Sequence, residues 1–302
     1  ALFKPSGKQS KGEVIKTLID SFRYPKRGPG MMWEECVVKS KALGVNIEMN
    51  TGVQKIEKLG DHWKVYTSDQ KVWEGYDYVL SSAPMRELIP AVAPQFSPQV
   101  LHAANQLKYR DFLTVVLICK DQDAFSDNWI YIHEPNVKVG RIQNFKSWSP
   151  YMVPDPQMAC YGLEYFCFEG DGLWTSSNEA LIALGTKEIH QIGLTNPSAV
   201  VDGYVVRQPK AYPVYDHEYK DHLSVIREAL KQYSGLYLVG RNGMHKYNNQ
   251  DHSMMTAMLA AKNIIAGEEV YDLWDVNEDA EYHEGGDRGA EGIVGRAVPT
   301  KI

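Results

Sequence analysis

The residues best suited to chemistry lie in YLVGRNGMHKYNNQDHSMMTAMLAAKNI, residues 237–264 of the 302-residue chain. The segment begins as a strand, passes through Gly240, Gly243 and a polar stretch, and ends as a helix whose pattern starts near Asp251 or His252. A helix N-terminus exposes unpaired N–H groups and carries about half a positive charge, so it favours an anion. Glycines ahead of it let a ligand come close to the backbone. An ordinary strand-to-helix connection looks the same, and the residues alone leave both readings open.

Other constellations are weaker. DHEYKDH (216–222) is H-E-x-x-x-H: His217 and His222 stand five apart and leave a common helical face, so no metal is expected there. EYHEGGD (281–287) reads as a solvated acidic stretch, and no G-x-S-x-G marks a serine nucleophile. No catalytic base can be named. Trp129, Tyr131, Tyr161, Tyr165 and Phe166 have strand spacing that favours sheet core over cavity lining. In RQPKAYPVYD, Arg207, Lys210, Tyr212 and Tyr215 sit at a strand end, where substrate contact and plain packing both remain open.

Elements must position these residues. GMMWEECVVKSKALG reads as a helix stopped by Gly44. VNIEM, TGVQKIEKLG, HWKVYTS, KVWEG and YDYVLSSAP read as a meander of short antiparallel strands. PMRELIPAV and SPQVLHAANQL look like short helices. The middle of the chain holds long aromatic and β-branched runs: DFLTVVLIC, NWIYIH, KVGRIQNF, MACYGLEYFCF and SAVVDGYVVRQP. One helix, SSNEALIALGTKEIHQIG, divides the last two. That order predicts an α+β fold, an antiparallel sheet with flanking helices. In YKDHLSVIREALKQY, Leu223, Ile226, Leu230 and Tyr233 form one stripe; in the closing helix, Met254, Met258, Ala261 and Ile265 share a face. Residues 1–16 read as a polar arm.

Composition narrows the class. Net charge is −6 with a pI near 5.9 and no basic cluster, so no nucleic-acid partner is expected. Apolar runs such as TVVLIC fall far short of the roughly 18–20 residues that span a membrane. Cys36, Cys119, Cys160 and Cys167 show no metal spacing and read as reduced, buried thiols of a cytoplasmic protein.

The 237–264 segment resembles the C-terminal FAD signature of the flavin amine oxidase superfamily, which includes protoporphyrinogen oxidases, phytoene desaturases and UDP-galactopyranose mutases. FRYPKRGPGMMWEECVVKSKALGVNIEMNTGVQKIE, YDYVLSSAPMREL and VVRQPKAYPVYDHEYKDHLSVIREAL resemble further segments of that superfamily, in its order. The resemblance spans nearly all of residues 20–266 and implies FAD as cofactor. Val53 would pack near the adenine. Gly240, Arg241, Asn242, Gly243 and Met244 would lie by the pyrophosphate and ribityl chain, with Asp251, His252, Ser253, Met254 and Met255 near the ring. Arg207, Lys210, Tyr212 and Tyr215 would border a small-molecule substrate.

The resemblance implies four regions: 1–106, a distal FAD-domain segment; 107–218, the substrate domain; 219–274, the return to the FAD domain; and 275–302, an extended tail. The N-terminal βαβ unit with its G-x-G-x-x-G turn is missing. The expectation is a C-terminal part of a larger flavoprotein, inactive alone and binding FAD weakly or not at all, whose partner is that N-terminal region. The implied reaction is hydride transfer from a C–N or C–C bond to FAD. The alternatives are a non-redox mutase acting on a sugar nucleotide, and a cofactor-free binding module.

Overall fold

The computed structural model describes residues 22–277, so the expected arm at 1–16 and the tail beyond 277 lie outside the described residues. Contacts divide the described residues into two units, Tyr24–Tyr247 and a second made of 22–23 with 248–277.

In the first unit, helix α1 (Gly30–Ala42) runs to the predicted stop, where Gly44 takes φ +87° and backbone bonds close back on Ser40 and Lys41. Met32, Trp33 and Val38 on it are exposed. Strands β1 (Val53–Leu59), β2 (His62–Thr67) and β3 (Val72–Tyr76) form the expected antiparallel meander. VNIEM is no strand. β4 (Val79–Ser81) leaves the meander, a second departure from the expected pattern. Helix α2 (Met85–Ala91) follows, and β5 (Val92–Ala93) returns to pair parallel with β1. Helix α3 (Pro98–Gln106) then leads into the main sheet.

That sheet contains β6 (Tyr109–Lys120), β7 (Trp129–Tyr131), β8 (Arg141–Asn144), β9 (Met158–Cys167) and β10 (Val200–Pro213), in the order β10-β6-β9-β8-β7. All its pairings are antiparallel, as the sequence predicts. A short helix α4 (Phe145–Trp148) follows β8, capped by the Asn144 side chain. Helix α5 (Asn178–Gln191), capped by Ser177, covers one face. Alternation then decides what is buried. Leu113, Val115, Leu117 and Cys119 of β6 and Leu163, Tyr165 and Cys167 of β9 form a core with Leu181 and Ile189 of α5. A Cβ at Gly185 would lie 3.0 Å from Val115, so glycine sets how closely α5 approaches the sheet.

Glu188 of α5 is buried in this core, yet every donor around it is satisfied. Its carboxylate accepts the backbone N–H of Lys138 and Val139 and the hydroxyl of Tyr165. Burial and the nearby carboxylate raise the Tyr165 pKa, which keeps its proton on the oxygen.

Helix α6 (Tyr219–Leu230) buries Ile226 at the centre of the predicted stripe, and Tyr233 beyond it is also buried. β11 (Leu236–Leu238) pairs parallel with β4, and a single helical turn, α7 (Gly240–Gly243), follows.

In the second unit, α8 (Gln250–Ala266) begins just before the predicted start and closes a capping box between Asn249 and His252. Its buried positions are Thr256, Leu259, Ala260 and Asn263, while Met254, Met258 and Ile265 are exposed, so the expected apolar face is the wrong one. The reason is polar: Asn263 turns inward to bind the backbone of Val270 and Tyr271.

All four cysteines are free, but Cys36 is exposed and Cys160 half-buried, against the expectation that all are buried. Among the described residues no helix is long and apolar enough to cross a membrane.

Candidate functional site

On the face of the main sheet opposite α5, the alternation that buries Leu163 and Tyr165 places Glu164 and Phe166. Register puts Arg141 of β8 beside Glu164 and Gln143 beside Gly162. Arg141 Nε and Nη2 both reach Glu164 Oε2 at 2.5 Å, and Gln143 Nε2 donates to Oε1 at 2.9 Å. Trp148 Nε1 in turn donates to Gln143 Oε1 at 2.7 Å. Glu164 is buried while Arg141 keeps about a quarter of its side chain exposed. Burial works against the guanidinium's charge, but the bond and the attraction to Glu164 outweigh it and hold the Arg141 pKa above its usual value. The result is a fixed cation aimed along an aromatic surface.

Across β9 and β6 from it lies the end of β10. Its register against β6 slips between Gln208 and Tyr212, and Lys210 adopts φ +51° at the bulge. Such a bulge re-aims the side chains that follow it. Asp111, buried, pins the bulge by accepting the Lys210 N–H at 2.6 Å, and Lys210 Nζ pairs with Glu87 at 2.8 Å. Tyr212 emerges among Phe112 and Phe166, with centroids 6.4 and 6.1 Å away.

The 240–247 loop is strapped to this strand end. Asn242 Nδ2 donates to Lys210 O (3.0 Å), Arg241 Nη1 to Ala211 O (2.9 Å), and the Tyr247 N–H to the Tyr215 hydroxyl (2.6 Å). The Arg241 guanidinium sits 5.0 Å from the Tyr212 ring and 4.8 Å from that of Tyr247. Burial is the main cause that raises the Tyr212 pKa, with Tyr247 and Glu164 adding to the rise and Arg141 and Arg241 opposing it. Of the two arginines, Arg241 is the one packed on the Tyr212 ring, while Arg141 stands three strands away on β8.

His245 occupies the same loop at φ +46°, buried against the edge of Tyr109. Burial lowers its pKa to about 4, so the ring is neutral near pH 7.

The structure thus gathers Arg241, Asn242, Lys210, Tyr212 and Tyr215 from the residues expected to form the site. Arg207 stands apart: its guanidinium binds Trp174 O, Ser176 O and Asn178 Oδ1 and serves the segment that leads into α5. Gly243 is needed for packing, because a Cβ there would lie 2.6 Å from Ser81 O of β4. Met244 is fully buried, and Gly240 is buried at φ +75°. Val53 is exposed at the start of β1. Asp251, His252, Ser253, Met254 and Met255 form the first turns of α8, with Asp251 and Met254 exposed.

The aromatics split. Tyr161 and Tyr165 are core, as expected, but Trp129, Tyr131 and Phe166 are exposed. The sequence reading missed Arg141, Gln143 and Glu164. A lone glutamate inside the apolar strand CYGLEYF was the available signal, since a charge buried there needs a partner. A depression of about 550 Å³ lies beside His133 and Gln191, and one of about 220 Å³ beside Asp123 and Phe125 is lined by the Lys146–Asp121 ion pair.

Comparison with known proteins agrees with this architecture. Residues 20–265 match the family described as flavin containing amine oxidoreductase. The structure of a reduced UDP-galactopyranose mutase superposes with a TM-score of 0.70 at 20% identity, covering 80% of this chain and 53% of that one. A provisionally named protoporphyrinogen oxidase from Exiguobacterium sp. 255-15 gives 0.54 at 17%, covering 69% and 46%. The chain spans about half the length of these structures. No curated protein sequence matches it. The chain belongs to the flavin containing amine oxidoreductase family, and its mixed sheets and helices are those of a flavin oxidoreductase fold.

That family implies FAD, and one atom of the loop fits such a group. Asn242 Oδ1 is buried without a hydrogen-bond partner, an acceptor suited to a donor such as a ribityl hydroxyl or a flavin N–H. Gly243 contributes no room for a ligand, since its space is taken by β4.

Proposed function

We propose that this chain supplies the substrate side of an FAD-dependent enzyme that removes a hydride from a C–N or C–C bond of a small anionic molecule. The observation that carries this reading is the Arg141 guanidinium, fixed by the buried Glu164 on the sheet face that also carries Phe166, with Tyr212 packed on Phe166 at the strand end that the 240–247 loop straps.

In this reading Asn242 and the 240–247 loop hold the cofactor. Bound FAD supplies the electron-accepting chemistry. Arg141 orients the substrate anion, Tyr212 and Phe166 exclude water from one side of it, and the straps from Arg241 and Asn242 keep strand and loop in register. A glycine-rich dinucleotide-binding region of the same protein completes the cofactor cradle, and the setting is cytoplasmic.

The fixed Arg141 guanidinium also favours a second reading, a non-redox enzyme acting on a sugar nucleotide, since a guanidinium suits a phosphate. Spectroscopy separates the two. The full-length protein should absorb near 450 nm, and Asn242→Leu should weaken FAD retention about tenfold. Anaerobic bleaching by an amine or hydroaromatic acid supports the oxidoreductase. Activity that needs prior reduction of the flavin supports the second reading, and a colourless protein defeats both.

A further inference from the structure

The hydrogen-bond chain that fixes Arg141 continues into an aromatic stack with no part in the reading so far. Trp148, held by Gln143, stacks on Trp129 with centroids 5.2 Å apart and planes 12° apart. On Tyr24 it stacks at 4.8 Å and 30°. Trp129 and Tyr131 lie on edge strand β7, opposite Gln143 and Arg141 respectively. Trp129 is therefore the diagonal neighbour of Arg141 on one face, about 7–8 Å away. Tyr131 lies with its ring 5.8 Å from the Arg141 guanidinium.

Both β7 side chains keep large exposed surfaces, 36% for Trp129 and 61% for Tyr131. Exposed aromatics on an edge strand are a liability unless something uses them. Here Trp129 is stacked on Trp148, which the network around Arg141 holds, and Tyr131 lies over the Arg141 guanidinium. Rigid rings beside a fixed charge match a ligand in which a planar or sugar ring is joined by a few bonds to an anion.

We propose that Trp129 and Tyr131 form a ring-stacking subsite adjoining Arg141, which selects ring-bearing phosphates or carboxylates over bare anions. The proposal rests on the reading of Arg141 as an anion site. It adds the class of ligand: the anion sits at Arg141, and its ring lies toward β7, on the side away from Tyr212. Neither Trp129 nor Tyr131 touches the reacting bond in this arrangement; they set specificity.

The test is calorimetric titration of the full chain with inorganic phosphate, phenyl phosphate and glucose 1-phosphate, with tryptophan fluorescence as a second readout. At least one ring-bearing probe should bind about tenfold tighter than inorganic phosphate. Trp129→Ala should reduce that ratio toward one while leaving inorganic phosphate unchanged, and Trp129→Phe should restore most of it. Thermal melts of each variant verify folding, which is expected because Trp129 lies on an exposed edge strand. Equal affinity for all three probes, or a ratio that Trp129→Ala leaves intact, overturns the subsite and reduces the stack to an anchor for residues 24–28. If no probe binds, the anion reading of Arg141 fails and the subsite falls with it.

Discussion

The two faces of the five-stranded sheet handle a buried glutamate in opposite ways. On the α5 side, Glu188 is consumed by two backbone N–H groups and a tyrosine hydroxyl, and nothing of its charge reaches the surface. On the other side, Glu164 is just as buried, but its partner Arg141 is only partly covered and carries the charge outward. The first arrangement stabilises and specifies; the second presents a cation. A buried carboxylate alone therefore says little about function, and the exposure of its partner decides.

The largest effect should come from breaking the closed side. Glu188→Leu strands two N–H groups and a hydroxyl in the core and should cost about 3 kcal/mol or more. A fall in thermal stability of less than a few degrees would show that the three bonds relax to other partners.

The neighbouring loop gives the next largest effect, and it depends on pH. His245 has its pKa lowered to about 4, against the usual value near 6.5 in the unfolded chain. As pH falls through this window the unfolded chain takes up a proton that the folded one refuses, so stability drops, by up to roughly 3 kcal/mol below pH 4. Urea titrations from pH 7 to pH 4 should show that loss, and His245→Gln should flatten it; an unchanged slope would assign it to other groups.

Gly243→Ala follows, because the added Cβ meets Ser81 O at 2.6 Å and must push α7 off β4. A destabilisation of about 2 kcal/mol is expected. Gly243→Val would disturb packing before any ligand was concerned, so Asn242 is the better probe of cofactor binding.

On the open side, Arg141→Lys keeps the charge but loses the planar fork that Glu164 fixes. Phosphate affinity should fall about tenfold, roughly 1.4 kcal/mol, while the melting temperature hardly moves. The reverse pattern would make Arg141 a structural residue. Smallest of all, Tyr204→Thr on the exposed edge of β10 should change stability by no more than about 0.5 kcal/mol.

Much of the framework was legible in the residues. The aromatic and β-branched runs DFLTVVLIC and MACYGLEYFCF gave β6 and β9, because such side chains pack well on a pleated, half-buried surface. Gly44 marked the end of α1, and SSNEALIALGTKEIHQIG located α5. The α8 stripe misled, since Met254 and Met258 look more apolar than Thr256 and Asn263, and only the backbone groups of Val270 and Tyr271 make Asn263 an inward residue. The site was half legible. Lys210, Tyr212, Tyr215 and residues 240–244 were selected by composition and resemblance, whereas Arg141, Gln143 and Glu164 lie in segments that look like plain strand.

What the sequence determined by itself is local: which segments extend, which coil, and which side of each strand is apolar. Pairing was a tertiary decision. β4 joins β11 across more than 150 residues, and Arg141 meets Glu164 only because β8 lies against β9 in one register. A shift of one residue would send Arg141 to the core side. The physical reason is that side-chain direction follows from neighbours along the chain, while partners across a sheet are chosen by the burial of the whole face.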